Sequence, residues 1–119
     1  MPAFVCDWEM CELGVRPLDL GQMIAELYEL WHYKGIEEAL WIIQGFTAGY
    51  GFVDDKFAFR TAIHVGTHLV GWGSSVPGWG TEEQIHSVVG KGKELILRGW
   101  HEDRAWFEAG ELACLFQQA

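Results

Sequence analysis

Basic residues are scarce in this sequence. Its 119 residues include eight lysines and arginines against 17 aspartates and glutamates, a formal net charge of −9. Nucleic acids and anionic membranes attract basic surfaces, so this balance argues against binding to either through charge. We therefore expect no nucleic-acid partner and no membrane partner. A protein partner would have to offer a basic surface.

Cysteine is also rare. The three cysteines, Cys6, Cys11 and Cys114, form an odd set without a CxxC pair, which is typical of reduced thiols in the cytosol. No basic segment precedes an apolar run at the start of the chain, as a secretory signal would require. The uncharged stretches 39–53 and 61–81 are respectively too short to span a bilayer and interrupted by polar residues and glycines. These features predict a cytoplasmic protein.

Several motifs that carry known chemistry are missing from the sequence. Gly90-Lys91-Gly92-Lys93 lacks the spacing of a phosphate-binding loop, and the sequence contains neither GxGxxG nor GxSxG. The sequence therefore leaves the cofactor unknown, and it leaves open whether the protein is an enzyme.

Hydrophobic residues are plentiful, at 50% of the chain, and the length corresponds to one globular domain over residues 1–119. We predict a mainly α fold, a small bundle of four to five helices with or without a short β element. The alternative is an α+β fold with a small antiparallel sheet.

The first two helices are predicted over 19–34 and 36–50. Asp19 resembles an N-cap with Gln22 completing a capping box, and Gly35 would end the first helix. The second helix is apolar around much of its circumference, which predicts burial on more than one side. The short link at Gly35 predicts that the two helices pack antiparallel.

Two segments carry mixed signals. Residues 3–11 alternate in part and predict a short strand. Residues 54–72 fit a strand by β-branched content, and they fit a helix by the stripe Ala58, Ala62, Val65, Leu69 and Trp72. Asp54 and Asp55 suit a helix start, so we favour the helix.

The second half of the chain begins with a glycine-rich loop over 71–80. Thr81 and Gln84 then form a capping box. Because glycine disfavours helix, we expect this helix to stop near Gly90 and Gly92, with a strand over 94–100 and a last helix over 102–117.

Arg60, His64 and His68 form the most specific group of polar residues. In a helix His64 and His68 lie about 6 Å apart and could share a metal ion, whereas in a strand they are about 13 Å apart and could not. A metal site would need further ligands, and the spacing selects none. The competing interpretation is that both histidines are ordinary hydrogen-bonded or exposed side chains, because HxxxH without a central glutamate is a weak motif.

Seven tryptophans exceed what stability alone would require of a domain this size. The surplus suits either a ligand pocket or a homodimer interface. Trp72 and Trp79 are the candidates for ligand contact, because their flanking glycines would let the backbone approach a ligand. The competing interpretation is an aromatic core.

Two functions remain in competition. The first is binding without catalysis, as an inhibitor, immunity or anti-defence protein or as a regulatory subunit that engages a basic partner surface. The second is a small-molecule-binding protein or small enzyme. Its aromatic pocket would contain Trp72 and Trp79, with Arg60, His64 and His68 as ligand-binding residues and the two histidines as acid–base groups or metal ligands.

Overall fold

Helices form all the regular structure in the computed structural model, which describes residues 14–75 and 77–116. They are α1 (Arg16–Lys34), α2 (Glu38–Tyr50), α3 (Asp55–Gly71), α4 (Glu82–Trp100), α5 (Arg104–Glu108) and a 3-10 turn (Ala113–Phe116). The prediction of a mainly α fold is confirmed, and no strand within the described ranges supports the alternative with a small sheet. The strand predicted over 3–11 lies outside the described residues. None of the described helices has the length and apolarity needed to cross a bilayer.

Residues 55–71 form a helix, as favoured from the sequence. The Asp54 carboxylate accepts a hydrogen bond from the Phe57 amide at 2.8 Å and so caps the first turn. Four residues of the predicted stripe, Ala58, Ala62, Val65 and Leu69, are fully buried, whereas Trp72 lies just beyond the end of the helix and is exposed. Because i and i+4 positions share one face of a helix, α3 keeps His64 and His68 one turn apart on the same side.

The first helix begins three residues before the predicted start. Val15 is its N-cap, without a side-chain hydrogen bond, and Pro17 lies in the first turn, where a missing amide costs nothing. Asp19 is therefore inside the helix, and the predicted capping box with Gln22 is wrong. Gly35 does end the helix, in the left-handed conformation at φ 65°.

The predicted break at Gly90 and Gly92 and the predicted strand over 94–100 are both wrong, because α4 runs unbroken from Glu82 to Trp100. The Thr81–Gln84 capping box at its start is confirmed. The buried positions of the helix recur at intervals of four, three and four residues: Val88, Gly92, Leu95 and Gly99. A helical stripe thus exists, but half of it is glycine, which a search for apolar side chains overlooks.

The last segment is also not the single helix predicted over 102–117. The α5 helix ends at Glu108, and the chain turns before the 3-10 turn begins at Ala113. Arg104 holds this turn in place by donating to the Phe116 carbonyl at 2.6 Å, and it also pairs with Asp55 at the start of α3. The guanidinium group of Arg104 lies over the ring of Phe116, which stacks on Phe107 and packs at a tilt against Phe59.

The α3 helix lies between α1 and α4, and its contacts with these two helices are the most extensive among the described elements. The α2 helix packs against α1. One hydrophobic core joins these elements. The prediction that α2 is buried on more than one side is wrong: Ala39 and Ile43 are buried, but Trp41 is 66% exposed and Ile42 is exposed as well. The α2 helix therefore presents an apolar face to solvent.

Candidate functional site

A buried carboxylate marks the junction of α1 and α3. Glu29 is only 3% exposed, and its Oε1 atom lies 3.5 Å from Nε2 of His68. The same histidine nitrogen lies 3.2 Å from Oε1 of Glu26, which is one turn before Glu29 on α1. The donor atoms of the three side chains are all within 4.8 Å of one another. This acid–acid–imidazole cluster is the only group of three potential metal ligands among the described residues.

Burial controls the electrostatics of the cluster. Desolvation, reinforced by the nearby charge of Glu26, raises the pKa of Glu29 to about 7. Burial and the Glu29 charge also raise the pKa of Tyr33. Within the described part of the chain, Oε1 of Glu29 and Nε2 of His68 are buried without a hydrogen-bond partner. Two buried polar atoms thus face each other at short range without the bond that normally offsets their desolvation.

The loop after α3 closes over this cluster. The Tyr33 hydroxyl donates a hydrogen bond of 2.6 Å to the Gly73 carbonyl and fixes the loop against α1. A Cβ atom on Gly73 would lie 2.7 Å from the Leu69 carbonyl oxygen and 2.8 Å from Oε1 of Glu29, and the backbone clash explains why a glycine is needed here. The carboxylate is consequently enclosed from the loop side, while Glu26, whose side chain is 58% exposed, lies at the rim.

The predicted site residues Arg60, His64 and His68 share one face of α3 but have three different environments. His68 joins the acidic cluster. His64 packs over Gly21 of α1, and its burial and then the charge of Arg60 lower its pKa. Arg60 is exposed. The structure therefore groups His68 with Glu26 and Glu29, and His64 is not a member of that cluster.

The two loop tryptophans have different surroundings. Trp72 is 70% exposed, whereas Trp79 packs edge-on against Tyr33 at 5.7 Å between ring centroids and carries Lys34 over its ring. Trp79 is thus held next to the tyrosine that fixes the loop. Ligand binding by Trp72 and Trp79 remains a prediction.

A separate open groove of about 970 Å³ lies where the start of α1, the first half of α3 and the end of α4 meet. The charged residues of its lining are three cations and two carboxylates: Arg16, Lys56, Arg60, Asp54 and Glu102. Aromatic rings, among them Phe57 and Trp100, contribute the apolar part of the lining. Cations beside aromatic surfaces suit an aromatic ligand that bears negative charge. Arg60, predicted from the sequence, thus belongs to this groove rather than to the cluster around His68.

Sequence reasoning missed Glu26 and Glu29. Both lie off the apolar stripe that helical spacing predicts for α1, which includes Leu20, Met23, Ile24 and Leu27. The buried residues are instead centred on Leu20, Ile24 and Tyr28, and Met23 is exposed. This rotation of the face toward Tyr28 brings Glu29 inside. The sequence of α1 does not show which way its buried face is turned, because apolar residues occur on both sides of Glu29.

Comparison with known proteins gives two similar chains. One is the phosphotransferase FrzJ of Cladobotryum sp, 33% identical over 100 residues, which is 84% of this chain and 26% of that protein. The other is a 4-hydroxytryptamine kinase of Psilocybe cubensis, 26% identical over 111 residues, which is 92% of this chain and 29% of the kinase. This chain therefore spans between a quarter and a third of the length of these relatives. No family model and no solved structure matches it.

Proposed function

We propose that this chain is the helical, ligand-binding part of a small-molecule phosphotransferase, and that phosphoryl transfer itself requires residues outside it. The observation that carries this proposal is the similarity to a phosphotransferase across 84% of the chain. The second relative, whose name specifies a hydroxyl-bearing aromatic amine as its substrate, supports the same class. The alternative of a small-molecule-binding protein, weighed from the sequence, thereby gains support over an inhibitor.

The groove around Arg60 supports this proposal in chemical terms. Phosphate groups are bound by arginine and lysine, and aromatic substrates by stacked rings. Arg16, Lys56 and Arg60 bring the cations, and Phe57 and Trp100 bring the rings. We assign this groove to the phosphorylated or phosphate-accepting end of an aromatic small molecule.

The proposed separation of ligand binding from catalysis follows from the groups that phosphoryl transfer needs. Catalysis of this reaction depends on a cradle for the nucleotide phosphates and on ligands for Mg²⁺. The sequence has no phosphate-binding loop, because Gly90-Lys91-Gly92-Lys93 lies inside α4. The exposed apolar face of α2, with Trp41 and Ile42, offers a surface against which a further part of a phosphotransferase could pack.

A chimera tests the proposal. In the Psilocybe kinase the matched segment is replaced by the corresponding residues of this chain, and phosphate transfer from ATP to 4-hydroxytryptamine is measured. We expect transfer above that of the kinase with the segment deleted. Arg60→Ala in the chimera should raise KM at least severalfold, because a charged hydrogen bond is worth about 1.5–3 kcal/mol. The matched control is Lys93→Ala, at an exposed position outside the groove.

Two results would contradict the proposal. One is a chimera that folds, as judged by circular dichroism, and transfers no phosphate. The other is phosphate transfer by the 119-residue chain alone, since that would place the catalytic machinery within it.

Protein binding is the second candidate function, and the exposed α2 face favours it. A regulatory or inhibitory protein of net charge −9 would bind a basic partner, with Trp41 as an aromatic anchor. A pull-down with Trp41→Ser as the control separates the two candidates. Capture of a single partner that is lost in this variant and in high salt supports protein binding, and no capture at either salt concentration counts against it.

A further inference from the structure

We infer that Glu26, Glu29 and His68 form a binding site for a divalent transition-metal ion of the Zn²⁺ class. The three side chains supply one imidazole nitrogen and two carboxylate oxygens, a donor set that zinc accepts in proteins. Two of the ligands come from consecutive turns of α1 and the third from α3. The inference is independent of the proposed function, since it depends on a different part of the molecule from the groove around Arg60.

The distances between the donor atoms fit a tetrahedral ion. With metal–ligand bonds of about 2.0–2.1 Å, the edges of a tetrahedron are about 3.3 Å long. Nε2 of His68 lies 3.2 Å from Oε1 of Glu26 and 3.5 Å from Oε1 of Glu29. The third separation, between carboxylate oxygens of Glu26 and Glu29, is within 4.8 Å, so one ion could contact all three side chains after the two carboxylates move closer together.

The burial of Glu29 gives an independent reason to expect a cation. Glu29 is only 3% exposed, and its Oε1 atom is buried with no hydrogen-bond partner among the described residues. Buried carboxylates are normally paired, hydrogen-bonded or bound to metal. A proton on His68 supplies a single positive charge to two carboxylates, whereas a divalent ion balances both and leaves the imidazole neutral.

The loop after α3 encloses the cluster on one side, and Glu26 borders solvent. The loop at Gly73 covers the buried side, and the hydrogen bond from Tyr33 keeps it there. Glu26 lies at the solvent-exposed rim, where an ion can enter and a water molecule can complete its coordination. Bound metal would connect α1 directly to α3, so we expect it to stabilise the fold.

Cobalt and zinc titrations test the site. The full chain, freed of metal with a chelator, is titrated with Co²⁺ and the visible d–d bands are recorded, and Zn²⁺ binding is measured by calorimetry. We expect one ion per chain, four-coordinate Co²⁺ spectra and a higher melting temperature with Zn²⁺. Glu26→Gln should weaken binding by more than about tenfold without unfolding the chain, because this side chain is exposed at the rim. His68→Gln and Glu29→Gln should abolish it.

The matched control is His86→Gln, at an exposed histidine outside the cluster, which should leave binding unchanged. Three results would overturn the inference: no saturable binding, binding that survives both Glu26→Gln and His68→Gln, or thiolate charge-transfer bands that assign the metal to cysteine. Because Glu26→Gln leaves the buried residues intact, misfolding cannot account for its result.

Discussion

The backbone of Gly66 in α3 lies directly against the backbone of Gly92 in α4. A Cβ atom on Gly66 would lie 2.5 Å from the Gly92 carbonyl oxygen, and one on Gly92 would lie 2.8 Å from the Gly66 carbonyl oxygen. Each glycine thus makes room for the other helix. This contact explains why α4 keeps a residue in its middle that disfavours helix formation.

Gly92→Ala should therefore destabilise the protein by about 1–3 kcal/mol, since the added methyl group forces apart two packed backbones. Gly90 is the matched control in the same helix: nothing lies within 4 Å of its Cβ position. Gly90→Ala should stabilise the protein by about 0.5–1 kcal/mol through helix propensity. Urea unfolding monitored by circular dichroism measures both. Equal effects of the two substitutions would refute the close contact.

The start of α4 depends on Thr81. Its hydroxyl accepts a hydrogen bond from the backbone amide of Gln84 at 3.2 Å, and Oε1 of Gln84 accepts one from the backbone amide of Thr81 at 2.9 Å. Thr81→Ala should cost about 1 kcal/mol in thermal unfolding, whereas Thr81→Ser should cost little, because serine keeps the hydroxyl. Asp19→Ala should cost less than Thr81→Ala, because Asp19 lies inside α1 rather than at its cap. A larger loss for Asp19→Ala would favour the helix start expected from the sequence.

An ion pair joins α4 to the turn after α5 and gives the stability a pH dependence. Nζ of Lys91 lies 2.7 Å from Oε2 of Glu111. Burial alone would raise the pKa of Glu111, but the hydrogen bond from Lys91, a backbone hydrogen bond and the charge of Lys91 together hold this pKa below its ordinary value. Folding thus favours the ionised carboxylate. Its contribution is present above the ordinary glutamate pKa and is lost as the pH falls through the lowered one.

Lys91→Met should accordingly reduce the free energy of unfolding by up to about 1 kcal/mol at pH 7, and the difference from the unmodified protein should shrink in acid. Lys93→Met, at an exposed lysine two residues further on, is the control for loss of a positive charge. Urea unfolding at a series of pH values provides the measurement. A difference that stayed constant down to pH 3 would assign the effect to packing of Lys91 on Trp106, which lies 5.0 Å beneath its ammonium group.

Trp79 and Trp72 should respond differently to substitution. Trp79→Ala removes the ring that packs on Tyr33 and Lys34, and we expect a loss of about 1–3 kcal/mol. Trp72→Ala, at an exposed ring, should change stability by less than about 0.5 kcal/mol. Differential scanning calorimetry distinguishes them. A large loss for Trp72→Ala would mean that its ring is covered in solution, as in the homodimer considered from the sequence.

The sequence predicted the parts of the fold that depend on local signals. Gly35 and Thr81 mark helix ends by their own chemistry, and the stripe from Ala58 to Leu69 identified α3. The contacts between helices could not be predicted from the sequence. Nothing local distinguishes Gly92, which packs on Gly66, from Gly90, which faces solvent. For the same reason His68 could be selected as a candidate, whereas its neighbours Glu26 and Glu29 could not.

The arrangement of the helices also bears on how the chain reaches its fold. The most extensive contact, between α3 and α4, joins helices that are consecutive in the chain and separated by ten residues. Closing so short a loop costs little entropy, and contacts that are local in sequence form quickly. At Gly66 and Gly92 this pair docks through backbone, so no side-chain rotamers are frozen there. We expect the α3–α4 hairpin to form early and α1 to dock onto it, which would bring Glu29 to His68.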